Sequence, residues 1–359
     1  MRTWAALPFL LVLLSTPLLA AEQAATTDGS ANGEPPPVML QDCSLITDGV
    51  SRLACYDTYF PPQQAQASAS AAKKAEVQKA VNNETDGTDN ESLLDNYMKK
   101  EKALFSYSGS FLPYRPMYVL PFSYVSNPNQ APFSPQYGSS PYGSELDKQE
   151  VKFQISFRMP LLTGYFNDRT TLWLAYTQRS FWQAYNHNYS SPFRETNYEP
   201  EFFVRYATNY HIGPGSLDAV TLGIDHQSNG RSDPFSRSWN RITASAAYST
   251  SRWFFAIRPW YRIPENPSND DNPDIQDYLG YADYIAEWKM RGNQRLSIEL
   301  HNNLKRENNL TSFELGYSYP LSDSFRVFVQ YVNAYGESLI DYNHRIHRFG
   351  IGFMLNDWI

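Results

Sequence analysis

The chain has 359 residues and a formal net charge of −7, which suffices for one large domain with an extension or for two ordinary domains. The acidic balance argues against a nucleic-acid partner, and no basic cluster opposes that expectation. With 26 Tyr, 21 Phe and 8 Trp the chain is unusually aromatic, and beyond the N-terminal segment no apolar run is long enough to cross a bilayer as a helix.

Residues 1–21 have the features of a secretory signal peptide. Arg2 supplies the positive start, residues 7–14 supply the apolar core, and small residues place the expected cleavage after Ala20 or Ala21. A membrane anchor is the alternative, but the run is short and contains two prolines. We therefore expect an exported protein.

Residues 22–105 are interpreted as an N-terminal extension. Residues 22–42 are rich in Ala, Thr, Gly and Pro, a composition typical of disorder. Cys43 and Cys55 are the only cysteines, and in an exported chain this close pair predicts a disulfide that staples a small helical hairpin; a metal site would need further ligands nearby. A polar low-complexity linker follows, and LLDNYMKKEKAL from Leu93 predicts a short helix.

Residues 106–359 form the predicted main domain, and from about Pro116 the hydrophobic period becomes two. In VKFQISFRM the apolar residues from Val151 to Met159 share one face, and polar residues such as Lys152 and Arg158 share the other. About twelve such segments occur, near 116–125, 151–160, 171–182, 198–209, 218–229, 238–249, 252–262, 277–291, 294–305, 310–319, 325–335 and 345–355.

Many short alternating strands in an exported chain fit either a soluble sandwich or an outer-membrane barrel. Aromatic residues near strand ends and an apolar final strand favour the barrel, as do charges on the face that would point inward: Lys152, Arg158, Arg205, Arg241 and Glu314. We predict an all-β fold, a 12-stranded antiparallel transmembrane β-barrel with a mostly disordered periplasmic extension. Its interior would be narrow and filled with side chains, which suits a wide pore poorly.

One predicted strand carries polar residues on its lipid face. In VTLGIDHQSNG, His226 and Ser228 continue the parity of Ile224, whereas Asp225 points to the other face. The next strand carries Asn240 on its lipid face, and the short connection should return it beside His226. A hydroxyl, an imidazole and an amide can serve as nucleophile, base and orienting group. The alternative is a set of rim residues that bond water.

Gln178 also occupies a lipid-facing position, since it shares parity with Leu172, Leu174 and Tyr176. A lone amide against lipid is costly unless it finds a partner, and across a dimer axis it could meet its own copy. The alternative is that Gln178 lies high enough to meet lipid headgroups.

The segment DHQSNGRSDPFSRSWNR closely resembles the catalytic segment of the outer membrane phospholipase A family. SPFRETNYEPEFF, DDNPDIQDYLGY, YGESLIDYN and the terminal MLND are also similar to that family, in the same order over residues 110–359. The resemblance implies a bacterial outer-membrane barrel that hydrolyses acyl esters of phospholipids at both the first and second positions, and of lysophospholipids. The active site would face the outer leaflet.

The resemblance also assigns roles to residues. Ser228 would be the nucleophile, His226 the general base, Asn240 the orienting residue and Gly230 the donor of a backbone N–H to the oxyanion. One calcium ion per active site would lie at a dimer interface, bound by Arg231 and Ser236 of one subunit and Ser190 of the other, with Asp233 as an additional candidate. Gln178 would lie in that interface, and the monomer would be idle.

Two alternative functions remain at this point. A catalytically silent barrel, such as a small porin or an adhesin, would keep the strand pattern without turnover. A barrel protease would need acidic residues on long extracellular loops, and the sequence contains no convincing cluster of that kind.

Overall fold

The structure is a computed structural model that describes residues 42–59, 92–98, 101, 111–189, 192–322 and 325–358. The chain divides into two compact units, Met1–Ala67 and Ser68–Ile359. The predicted signal peptide, the predicted disorder before residue 42 and the linker that precedes residue 92 lie outside the described residues. No helix in the described part of the chain is long and apolar enough to cross a membrane.

In the first unit, a short 3-10 turn, Asp42–Leu45, precedes helix α1, Gly49–Tyr59. Asp48 caps this helix, because its carboxylate accepts a hydrogen bond from the backbone N–H of Ser51 at 2.8 Å. The sulfurs of Cys43 and Cys55 are bonded to each other, with their Cα atoms 5.6 Å apart. The disulfide therefore ties the turn to the middle of the helix.

The second unit is a closed antiparallel barrel of twelve strands, in which each strand pairs with its sequence neighbours and the first pairs with the last. The strands are β1 Met117–Val125, β2 Gln149–Gly164, β3 Thr170–Trp182, β4 Phe193–Ile212, β5 Gly215–Ser228, β6 Ser238–Ser249, β7 Trp253–Ile263, β8 Ala282–Lys289, β9 Arg295–Asn302, β10 Thr311–Ser322, β11 Phe325–Ala334 and β12 Ile346–Asn356. The predicted fold and strand number are confirmed.

The predicted strand 277–291 is longer at both ends than the strand in the structure. Its first residues belong to a helix, Ile275–Leu279, and β8 covers only Ala282–Lys289. Ile275 and Leu279 are buried against Trp239 and Trp260, so tertiary packing holds this aromatic segment in the loop. Gly280 ends the helix at φ 74°, and a Cβ there would lie 2.1 Å from the carbonyl oxygen of Asn302.

The barrel interior is polar and the exterior apolar, as the strand parity predicts. Lys152 is fully buried and contacts Glu337 at 3.0 Å and Glu314 at 3.4 Å. On the opposite parity, Phe153, Ile155 and Phe157 point outward and are exposed or half-exposed. The interior contains many charged side chains held in ion pairs. These include Arg348–Glu150, Arg194–Asp341, Arg241–Asp225, Arg258–Glu201 and Arg295–Glu287.

The segment before the first strand closes one end of the barrel. Residues 93–98 are helical, as predicted, and Leu94 packs against Phe254 and Ile285. The backbone N–H of Leu93 donates to the carbonyl of Thr250 at 2.9 Å. The carboxylate of Glu101 pairs with Arg158 and Arg205, and the second of these contacts includes a hydrogen bond of 2.9 Å.

The two ends of the barrel differ in the length of their connections. One end has short turns, such as 213–214 and 250–252. The first residue of β1 and the last residue of β12 also lie at this end. The longer loops lie at the other end, and their described residues are 126–148, 183–189, 229–237, 264–281, 303–310 and 335–345. We call the second end the long-loop end. The polar residues on the lipid face of β5 and β6 lie there.

Candidate active site

The candidate site lies where β5 ends and β6 begins. The register pairs His226 with Asn240 and Ser228 with Ser238. Leu222 and Ile224, which precede His226 on the same face, are 62% and 56% exposed. His226, Ser228 and Asn240 therefore lie on the same outward-facing surface as these apolar residues. Strand parity predicts this arrangement.

A hydrogen bond links the imidazole to the amide. His226 Nδ1 and Asn240 Oδ1 are 2.8 Å apart. Because an amide oxygen only accepts, this contact requires the proton on Nδ1 in the neutral imidazole. The other ring nitrogen, Nε2, is then left unprotonated and able to take a proton. This arrangement is what a general base needs.

The amide nitrogen of Asn240 has a partner of its own. Asn240 Nδ2 donates to Glu265 Oε1 at 3.4 Å, and Glu265 lies two residues beyond the end of β7. Burial and the nearby Asp270 carboxylate raise the pKa of Glu265, and Arg262 and the Asn240 hydrogen bond oppose that rise. Sequence reasoning missed Glu265, because nothing in the local pattern marks a loop residue as the neighbour of a strand 25 positions earlier.

Ser228 lies two residues beyond His226 on the same face and is half-buried. Across the ladder it is paired with Tyr198 of β4. In the part of the chain that the structure describes, no hydrogen bond joins the Ser228 hydroxyl to His226. The two side chains therefore lie two residues apart on one face without a hydrogen bond between them, and catalytic hydrogen bonds are often long or absent in active sites without substrate.

The loop 229–237 is organised by the buried side chain of Asn229. Its Oδ1 accepts from the backbone N–H of Arg237 at 3.0 Å and of Arg231 at 3.3 Å, and its Nδ2 donates to the carbonyl of Phe235 at 2.8 Å. An asparagine at the start of a loop often bonds nearby backbone in this way, and this signal was available in the sequence. Gly230 follows at φ +63°, with the ring of Tyr198 only 3.2 Å from the position of an added Cβ.

Three of the four residues proposed for calcium lie on the loop 229–237. The guanidinium of Arg231 donates to the carbonyl of Arg194 at 2.8 Å and stacks 4.7 Å from the ring centre of Phe235, so only its backbone could offer a ligand. The hydroxyl of Ser236 donates to Asp271 Oδ2 at 2.5 Å. Asp233 is exposed on the same loop, and Ser190 lies outside the described residues.

Gln178 is not a lone amide in the structure. The hydroxyl of Tyr176 donates to its Oε1 at 3.0 Å, and its Nε2 donates to the Ser180 hydroxyl at 3.1 Å. Both partners lie two residues away on the same strand, so sequence parity could have identified them. The amide thus has hydrogen-bond partners within one chain.

Asp225 occupies the barrel interior, as its parity predicts. Its carboxylate contacts Arg241 at 2.9 Å and Arg258 at 2.5 Å. It therefore cannot orient His226, which lies on the other face of the same strand. Among the residues considered for that role, the orienting contact is made by Asn240.

The fold and the site together define an integral outer-membrane β-barrel with a serine, a histidine and an asparagine on its lipid-facing wall. The family model described as Phospholipase A1 matches residues 94–355. The chain belongs to the outer membrane phospholipase A family.

Individual relatives agree with this assignment. The Phospholipase A1 of Klebsiella pneumoniae is 40% identical over 245 residues, which cover 68% of this chain and 82% of that protein. The structure of the Salmonella typhi outer membrane phospholipase dimer with bound calcium has a TM-score of 0.63 and 37% identity, over 69% of this chain and 93% of that one. An Escherichia coli structure, described as an active-site mutant with an asparagine replaced by alanine, has a TM-score of 0.61 and 36% identity over the same shares.

Proposed function

We propose that this outer-membrane phospholipase hydrolyses acyl esters at the first and second positions of phospholipids, and those of lysophospholipids, with Ser228 as nucleophile. The observation that carries the proposal is the hydrogen bond of 2.8 Å between His226 and Asn240 on the lipid-facing wall, two residues from Ser228. A lipid ester lies at that depth in the outer leaflet, so a nucleophile on the outside of the barrel meets its substrate without extracting it.

The chemistry follows from the positions of the three side chains. His226 Nε2 takes the proton of Ser228 as its oxygen attacks the ester carbonyl, and the positive imidazole is stabilised by Asn240 Oδ1. Collapse of the tetrahedral intermediate breaks the ester bond, and His226 returns the proton to the departing alcohol oxygen. Water, deprotonated by His226, then releases the fatty acid from Ser228. An asparagine in the active site of the Escherichia coli relative supports the role of Asn240.

The backbone N–H of Gly230 is proposed to stabilise the oxyanion. Gly230 follows Ser228 by two residues and adopts φ +63°, a conformation that side chains disfavour. The contact with Tyr198 also leaves no room for a Cβ without movement of the ring. A glycine at this position allows the backbone to approach the reacting carbonyl closely.

The oxygen atoms on and beside the loop 229–237 are ligands of the kind that calcium binds. Calcium prefers oxygen ligands, and the loop brings the Ser236 hydroxyl beside the Asp271 carboxylate, with Asp233 exposed nearby. The backbone carbonyl of Arg231 and, from a second subunit, Ser190 would complete the set. When bound, calcium would supply positive charge close to the oxyanion, and the relative from Salmonella typhi supports this proposal as a dimer with bound calcium.

The active site is proposed to face the outer leaflet, with residues 22–105 in the periplasm. Bacterial outer-membrane barrels have short periplasmic turns and longer extracellular loops. Ser228 and Asn240 lie at the long-loop end, and the helix 93–98 packs at the opposite end. Dimerisation through the wall that carries Gln178 would complete the calcium site. The monomer would lack part of that site and would therefore be idle.

The test is fatty-acid release from phospholipid micelles by the refolded protein, with calcium or with a chelator. We expect release that needs calcium and that disappears in Ser228→Ala. Substrates labelled separately in each acyl chain report the positional preference. No release by the wild-type protein would favour a catalytically silent barrel, and activity that survives Ser228→Ala would contradict the mechanism.

A further inference from the structure

We propose that Glu265 is a positioning residue for the catalytic triad, acting through Asn240. The proposal rests on the proposed function, since it assigns a fourth member to the same site. The geometry is a chain of two hydrogen bonds, from His226 Nδ1 to Asn240 Oδ1 at 2.8 Å and from Asn240 Nδ2 to Glu265 Oε1 at 3.4 Å.

Asparagine alone is an ambiguous orienting residue. Its side chain has an acceptor end and a donor end of nearly the same shape, and rotation by 180° exchanges them. If the nitrogen of Asn240 faced His226, the imidazole would have to keep its proton on Nε2 and could not act as a base. An ionised carboxylate only accepts hydrogen bonds, so Glu265 attracts the amide nitrogen and leaves the oxygen for His226.

The fold places Glu265 beside Asn240 through strand pairing. Ile263, the last residue of β7, is paired with Asn240 of β6. Two residues later the chain has left the sheet, and Glu265 is half-buried over the end of that pair. Arg262, three residues before Glu265, is buried and pairs with Asp270 at 2.7 Å, so it does not compete with Asn240 for the hydrogen bond to Glu265.

The same carboxylate compensates for what asparagine lacks. In the transition state the imidazole becomes positive, and a neutral amide stabilises it less than an aspartate would. Glu265 places a negative charge on the far side of the Asn240 amide from His226. This charge polarises the amide, which makes the Asn240 oxygen a stronger hydrogen-bond acceptor. The charge thereby supports His226 without touching it or the substrate.

The first experiment compares kcat and KM of Glu265→Ala, Asn240→Ala and the double variant in the micelle assay. We expect Glu265→Ala to lower kcat by about 3- to 10-fold with little change in KM, the loss expected for one hydrogen bond. In the Asn240→Ala background the same change should have no further effect, because Glu265 acts through the amide. Glu307→Ala, which removes an exposed carboxylate from another loop at the long-loop end, is the matched control.

A second experiment uses charge repulsion. Asn240→Asp puts two carboxylates in contact, which should lower kcat; adding Glu265→Gln should restore much of the loss, because the glutamine amide can donate to the new aspartate. Additive effects in both cycles, or a Glu265→Ala variant with wild-type kcat, would overturn the proposal. If Ser228→Ala still abolishes turnover in that case, the proposed function stands and only the role of Glu265 is lost.

Discussion

Replacement of Asn240 by alanine is the most informative change at the active site. The hydrogen bond that this change removes is 2.8 Å long and is made to the His226 ring, which becomes positive in the proposed mechanism. A hydrogen bond to a charged group contributes about 1.5–3 kcal/mol. If this contribution is realised only in the transition state, kcat should fall by about 10- to 150-fold and KM should change little.

The assay is the initial rate of fatty-acid release at saturating calcium, measured over a range of substrate concentrations. Ser228→Ala provides the floor, and Asn309→Ala, an exposed loop asparagine at the long-loop end, provides the control. Circular dichroism verifies that each variant has folded. A kcat within twofold of wild type, or a change confined to KM, would refute the role assigned to Asn240.

Four further changes have distinct expected outcomes. Ser228→Ala should lower kcat by at least about 10³-fold without affecting folding. Ser236→Ala should raise the calcium concentration needed for half-maximal activity by about 10-fold, and wild-type activity should vanish on chelation. Gln178→Ala should weaken the dimer by about 3- to 15-fold in sedimentation analysis, and an unchanged dimer would place Gln178 outside the interface. Glu101→Ala leaves the buried Arg158 and the half-buried Arg205 without their carboxylate and should cost about 3–5 kcal/mol of unfolding free energy in denaturant titrations, whereas Glu307→Ala should cost almost nothing.

The raised pKa of Glu265 leads to a separate expectation about stability. A carboxyl whose pKa is higher in the folded protein than its ordinary value of 4.5 disfavours folding once it ionises. Glu265→Gln should therefore be more stable than wild type at neutral pH, and the difference should disappear as the pH falls below that ordinary value. Thermal unfolding at several pH values measures this, and a difference that grows towards acid would contradict the cause assigned to the pKa.

The sequence alone was sufficient to predict the barrel and the face on which Ser228, His226 and Asn240 lie. Alternation with period two is a local property, and in a barrel it determines directly which side chains meet lipid and which fill the interior. Lys152, Phe153 and Asp225 accordingly point where their parity predicts. The short loop between β5 and β6 likewise made the meeting of His226 and Asn240 predictable, because antiparallel neighbours return in register.

Only the tertiary structure decided what lies around those residues. The helix Ile275–Leu279 stands where a strand was predicted, because its apolar side chains pack on tryptophans from two other strands. The contact of Asn240 with Glu265 joins a strand to a loop residue 25 positions later, and the contact of Ser236 with Asp271 joins two loops across 35 positions. Loop conformations depend on such distant partners rather than on a repeating local pattern, so the residues that support the active site appear only once the chain is folded.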